Sequence, residues 1–174
     1  MGEINEPKPV LLLIAVSSRY EEALAWSERQ TVADYGPIRR KSHAFDFVET
    51  DYYAETMGTD LKKQFLAFDD LIDPGMLPRI KHETNALEQA YAAQHSHPET
   101  RPLNLDPGYL SLPKLVLAST KDHAHRIYLQ DGIYAEVTLN YRNRGWQKSA
   151  WTYPDYQRED FQEFFTTCRQ TLRP

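Results

Sequence analysis

The run Val10-Leu-Leu-Leu-Ile-Ala-Val16 constrains the fold more than any other part of the chain. Seven consecutive apolar residues have the length of a strand and do not alternate with polar ones. A strand with one wet face would alternate, so this run is expected to be a central strand covered on both faces. It is too short to cross a bilayer, which takes about 18 apolar residues. Glu3, Glu6 and two prolines precede it, with Lys8 as the sole basic residue. A secretory leader has a basic start, a longer apolar stretch and a small-residue cleavage site.

A chain of 174 residues can bury roughly 70% of its unfolded surface, enough for a core without disulfides or metal. Residues 1–8 are expected to form a loose N-terminal tail and residues 9–174 a single α+β domain. The net charge of −5 argues against general nucleic-acid binding, whose footprint is basic. A local basic patch could still hold a phosphate. Cys168 is the one cysteine and has no internal disulfide partner, which fits a reducing cytoplasm.

Ser17 and Ser18 can cap a helix from about Tyr20 to Gly36-Pro37, with Ala23, Leu24, Ser27 and Thr31 on one face. Ile38 to Val48 reads as extended, Glu49 to Gly58 as a long connection, and Lys63 to Phe68 as a third strand. Asp73-Pro74-Gly75 turns into a helix from Met76 to Gln94 whose stripe is Leu77, Ile80, Thr84, Leu87 and Tyr91. A polar loop, His95 to Pro102, leads to a short fourth strand, Leu103 to Leu105. This order gives a ferredoxin-like βαββαβ core.

Pro107-Gly108 reads as a turn, and Leu110 to Thr120 as a helix in which Leu112, Leu115, Val116 and Ser119 share a face. Lys114 and Lys121, seven apart, would share another. A hairpin follows. A two-residue Asp131-Gly132 turn would pair Ile127 with Glu136, mixing apolar and charged neighbours. A three-residue loop from Gln130 pairs Ile127 with Ala135, Tyr128 with Tyr134 and Arg126 with Glu136, which separates the faces cleanly. Arg144-Gly145 turns the chain toward a strand near Ser149 to Tyr153. Phe161, Phe164, Phe165, Cys168 and Leu172 make a last amphipathic helix, Arg158 to Thr171. The expected fold is thus α+β: the ferredoxin-like core, an added helix, a C-terminal β-hairpin or meander and the final helix.

Several segments resemble one bacterial family. They are Asn104-Leu-Asp-Pro-Gly-Tyr109, Lys114-Leu-Val-Leu-Ala118, Lys121-Asp122, His125-Arg-Ile-Tyr128, Gly132-Ile-Tyr-Ala-Glu-Val-Thr138 and Trp151-Thr-Tyr-Pro-Asp-Tyr156. Phe45-Asp-Phe47, Tyr52-Tyr53, Phe65 and Leu71-Ile-Asp73 also fit. The family is the one numbered 4416 among domains of unknown function, and the resemblance covers nearly the whole chain. It implies a bacterial protein of this size and no mechanism. Pro113 and Arg39-Arg40 look like local variations.

Between Asn104 and Glu136 lie Asn104, Asp106, Tyr109, Lys114, Lys121, His123, His125, Arg126 and Glu136, the densest set of acids, bases and anion holders in the chain. Lys121-Asp-His-Ala-His-Arg126 could hold an anion, with arginine giving bidentate geometry, lysine a point charge and a histidine moving a proton. It could equally be a polar loop with His125 packed at a strand end. Arg126 with Glu136 is expected as a cross-strand ion pair, of roughly 0.2–1 kcal/mol in a sheet. Asp106 either sets the turn at Pro107 or orients His123.

Asp46, Asp51 and Glu55 could meet a hard cation, but their spacing follows no ligand pattern, so no metal site is assigned. His95 and His97 have the surroundings of a solvated loop. Cys168 lies on the helical stripe as a small core residue. No zinc, nucleophile-elbow or phosphate-loop motif is present. Trp151, Tyr153 and Tyr156 could stack on a base, make an interface or rim a core.

Together these residues suggest a nucleotide- or phosphoester-sized anion held by Lys121 and Arg126. His123 is the expected acid–base group, oriented by Asp106, and Tyr109 and Tyr134 line the pocket. His125, Glu136, Asn104 and Lys114 complete the set, and no cofactor is specified. The alternative is a non-catalytic interaction module that uses an aromatic surface or an open sheet face.

Overall fold

The structure, a computed structural model, describes residues 2–49 and 54–173. Val10–Ser18 forms β1 with all nine residues buried. Odd positions Leu11, Leu13 and Ala15 join one apolar cluster, and even positions Leu12, Ile14 and Val16 join another. The strand is covered on both faces, as its uninterrupted apolar run requires. Glu21–Tyr35 (α1) packs on the even face through Ala23, Leu24, Ser27 and Thr31. The hydroxyl of Ser18 accepts from Tyr20 N at 3.0 Å just before the helix and donates to Pro102 O at 2.7 Å.

Ile38–Lys41 (β2), Phe45–Asp46 (β3) and the short helix Ala54–Met57 (α2) come next. Lys62–Ile72 (β4) then lies antiparallel to β1. Leu77–Gln94 (α3) packs beside α1 with Ile80 and Tyr91 in the even-face cluster. Asn104–Leu110 is β5, antiparallel to β1 on its other side.

Lys114–Ser119 is a strand, β6, where the sequence predicts a helix. Leu115, Val116, Leu117 and Ala118 are all buried, alternately in two clusters on opposite faces. That is period two with both faces covered. The helical stripe expected there fails at Leu112, which is exposed. Pro107-Gly108 is likewise no turn: β5 runs through it, pairing Pro107 with Ile14 and Gly108 with Leu13. Proline is tolerated because Leu105, two residues away on the same backbone edge, points its N–H out of the β1 ladder. The missing N–H of Pro107 therefore interrupts no strand pairing.

Ile127–Gln130 (β7) and Ile133–Arg142 (β8) pair Ile127 with Ala135 and Tyr128 with Tyr134. The register then shifts so that Gln130 pairs with Ile133. Asp131 and Gly132, at φ 51° and 75°, make the two-residue turn, and the irregularity at Leu129 restores the register that separates the faces. Gly145–Lys148 (β9) pairs with β8, so the strand expected at Ser149 to Tyr153 lies earlier. Asn143 and Arg144, both at positive φ, turn the chain one residue sooner than Arg144-Gly145 implied.

Glu159–Gln170 (α4) covers the odd face of the sheet with Phe161, Phe165 and Cys168. Among the described residues the protein is a mixed α+β structure of four helices and one antiparallel sheet, ordered β2-β4-β1-β5-β6-β8-β7, with β3 on β4 and β9 on β8. No described helix is long and apolar enough to cross a membrane.

Candidate functional site

The middle of the sheet forks. β5 and β6 pair only from Gly108 with Leu117 to Leu110 with Leu115. Gly108 marks the apex, where a Cβ would lie 2.2 Å from Val116 O. Beyond it β5 stays on β1, while β6 stays on β8. The free edge of β5 finds its partners on α3. Lys81 Nζ donates to Leu105 O at 3.1 Å, and Leu105 N donates to Glu88 Oε1 at 2.7 Å. Charged side chains thus replace a missing strand, and a cavity of about 750 Å³ opens between the prongs.

One wall belongs to β5 and α3. Asp106 takes Lys81 Nζ at 3.1 Å on one carboxylate oxygen and Asn104 Nδ2 at 2.7 Å on the other. Arg101 donates to Asn104 and to Glu88, the latter at 3.2 Å. Burial acts to raise the Asp106 carboxyl, but Lys81, Asn104 and Lys63 together hold it below the usual range. Glu88 moves the other way, because burial outweighs the pull of Lys81 and Arg101.

The facing wall is the bend between β6 and β7, backed by β8. Arg126 makes four bonds: Nε to Glu136 at 2.8 Å, Nη1 to Ser119 Oγ at 2.6 Å and to Lys121 O at 3.1 Å, and Nη2 to Tyr153 OH at 2.6 Å. Its side chain is 3% exposed, so it fastens the bend. His125 Nε2 lies 3.1 Å from the same Glu136 oxygen, and its ring stacks on Trp151 at 5.4 Å and 13°. Thr138 Oγ1 donates to the other Glu136 oxygen at 3.2 Å. The His123 ring stands edge-on to His125 at 5.8 Å. Burial, with the Glu136 charge, pushes the Tyr153 phenol up to about 12 against the pull of Arg126. A third side holds the buried Lys63–Asp155 pair, with Lys63 Nζ 3.9 Å from the Phe47 ring centre.

Asn104, Asp106, Lys121, His123, His125, Arg126 and Glu136 all line this cavity; Tyr109, Tyr134 and Lys114 do not. Tyr109 alternates to the opposite face, packing with Leu77 and Val116. Tyr134 meets Tyr128 edge-on at 5.4 Å. Lys114 sits at the far end of β6, opposite Asn140, about 16 Å of strand from Ser119 at 3.3 Å per residue. The expected Arg126–Glu136 cross-strand pair is present. Asp106 is bonded by Lys81 and Asn104, and it is His125 that meets a carboxylate, that of Glu136.

A family model described as Domain of unknown function (DUF4416) matches residues 8–172. The chain belongs to this family. No curated protein and no solved structure matches it.

Sequence reading missed several cavity residues of this DUF4416 chain: Lys63, Lys81, Glu88, Arg101 and Asp155. Lys81 and Glu88 are seven apart on a helix and so share a face, and Lys63 alternates in register with Phe65 and Ala67; both were usable signals. Of the carboxylates considered for a cation, Asp46 pairs with Lys62, and Asp51, with Tyr52 and Tyr53 beside it, lies outside the described residues. Among the described residues no group of three or more potential ligands is placed to hold a metal.

Proposed function

We propose that the fork cavity binds a small molecule through an anionic group, nucleotide or phosphoester in class, and that His125 moves a proton within it. The observation that carries the reading is His125 Nε2 at 3.1 Å from Glu136, beside a cavity whose lining includes Lys121 and Arg101. A carboxylate only accepts, so Nε2 holds the proton and Nδ1 is left to accept one. Glu136 is held in turn by Arg126 and Thr138, which is the base-and-orienter arrangement. In this reading Lys121 and Arg101 take the anion, and His123 stands by as a second acid–base group. Arg126 positions Glu136, the bend and Tyr153.

The test is a thermal-shift screen against nucleotides, sugar phosphates and carboxylates. A ligand at 100 times its Kd stabilises by about 2.7 kcal/mol, and Lys121→Ala should remove the hit. A hit that survives this change, or silence across all three classes, overturns the reading. The same proposal takes the β1–β5 part as a ferredoxin-like core, supported by its β2-β4-β1-β5 order. It takes residues 9–174 as one domain in a bacterial cytoplasm, supported by the single cysteine.

A second reading, a protein-interaction module, is favoured by β7. All four residues of this edge strand are exposed, Ile127 by 73% and Tyr128 by 56%.

A further inference from the structure

Asp106 has no part in the proton-transfer pair, yet it is the carboxylate most open to the cavity on the β5 wall. Its side chain is 30% exposed, whereas its partner Lys81 is 6% exposed and also bonds the β5 backbone at Leu105 O. The cation therefore lies against the strand, while the carboxylate opens inward. Each of its oxygens has one protein donor and room for another. Its neighbours hold it below the usual carboxyl range, so it faces the cavity as an anion at neutral pH.

The wall's charges are matched, Asp106 itself by Lys81. Lys63 pairs with Asp155, Arg101 with Glu88 and Arg126 with Glu136. A purely anionic guest would meet these carboxylates as well as the cations. A further polar group lies behind the cavity's lining. Ser17 is 2% exposed, and among the described residues its hydroxyl is the one buried side-chain polar atom without a partner. The register sets Ser17 opposite both Lys63 and Asn104, and residues opposed in an antiparallel pair share a face. Lys63, Asn104 and Asp106 all line the cavity. Ser17 stands behind these residues, and its hydroxyl adds a polar group to the β5 wall.

We infer that the ligand is amphoteric: beside its anionic group it carries a cationic nitrogen, an ammonium or amidinium, that docks on the Asp106 carboxylate. This rests on the anion-site reading above. The test is calorimetric titration with a matched series: tyramine O-phosphate, phenyl phosphate and 4-(2-hydroxyethyl)phenyl phosphate.

Tyramine O-phosphate is expected to bind at least ~10-fold tighter than the other two, the order for one charge-assisted contact. Asp106→Asn should erase that preference while leaving phenyl phosphate bound. The wild-type series decides the matter alone should the variant misfold. Equal affinity for the three phosphates, all weakened by Lys121→Ala, overturns the amphoteric class and leaves the anion site standing. Binding of none of them, or binding indifferent to Lys121→Ala, overturns both.

Discussion

Cys168 shows how burial alone sets a residue's chemistry. On the sheet-facing side of α4 it is 1% exposed, and burial lifts its thiol from the ordinary 9.0 to about 12. An acid whose pKa is raised by folding is favoured in its protonated form. The associated stability is complete below pH 9 and is lost as pH climbs toward 12, at ~1.4 kcal/mol per unit within that window. Denaturant melts from pH 8 to 12 should therefore fall more steeply for the wild type than for Cys168→Ala. Parallel limbs would show that Cys168 does not ionise on unfolding in this window. The same burial predicts that thiol reagents label Cys168 only as fast as the protein opens. Its place in the core was legible from its spacing with Phe161 and Phe165. Of the four bonds of Arg126, the one to Glu136 was legible from the hairpin register; those to Ser119, Lys121 O and Tyr153 were not, because they form only through tertiary structure.

At the scale of elements, the fork between β5 and β6 makes the cavity, and Gly108 makes the fork. A methyl at Gly108 would meet Val116 O at 2.2 Å and Leu117 Cδ2 at 2.7 Å. The leucine tip can move; the strand backbone cannot without parting β5 from β6. Gly108→Ala should cost about 1–3 kcal/mol or more in chemical denaturation and shift amide resonances of Leu115 to Leu117, leaving those of β4 in place. A fully stable variant would mean that the close approach is not needed.

The same stretch explains the main misreading of the sequence. Leu115 to Ala118 is a four-residue apolar run, which fits a buried strand or part of a helix equally well by periodicity. Pro107-Gly108 has turn chemistry, yet here the glycine admits a neighbouring strand and the proline sits where no ladder bond is lost. Neither function can be seen until the opposite strand is in place. By contrast, α1, α3 and α4 turned the stripes their spacing marked toward the core, with Leu87 and Phe164 partly buried, because a helix face is a local property.

Across the whole molecule, stability should decline from the centre of the sheet toward its β7 edge. β1 is buried at all nine positions, paired on both sides and packed on both faces. That centre was visible in seven apolar letters. The site was visible only in part: Asn104–Asp106 and Lys121–Arg126 stood out by charge density, but it took the fork to set them facing each other. Lys81 and Glu88 came from a helix whose polar face looked ordinary. β7, at the far edge, pairs only with β8 and exposes every residue. Exchange of a backbone amide requires opening, and the least buried, single-sided elements open at the lowest free energy. Hydrogen exchange should therefore find β1 amides released only by global unfolding, with a free energy equal to that from denaturant melts. β7 amides should exchange by local opening, several kcal/mol lower. The bend that carries His123 and His125 is anchored to β8 through Arg126–Glu136, so Arg126→Ala should speed exchange along β7 and the bend without touching β1. Uniform protection from β1 to β7 would mean that the sheet opens as one unit and that the cavity's outer wall has no motion of its own.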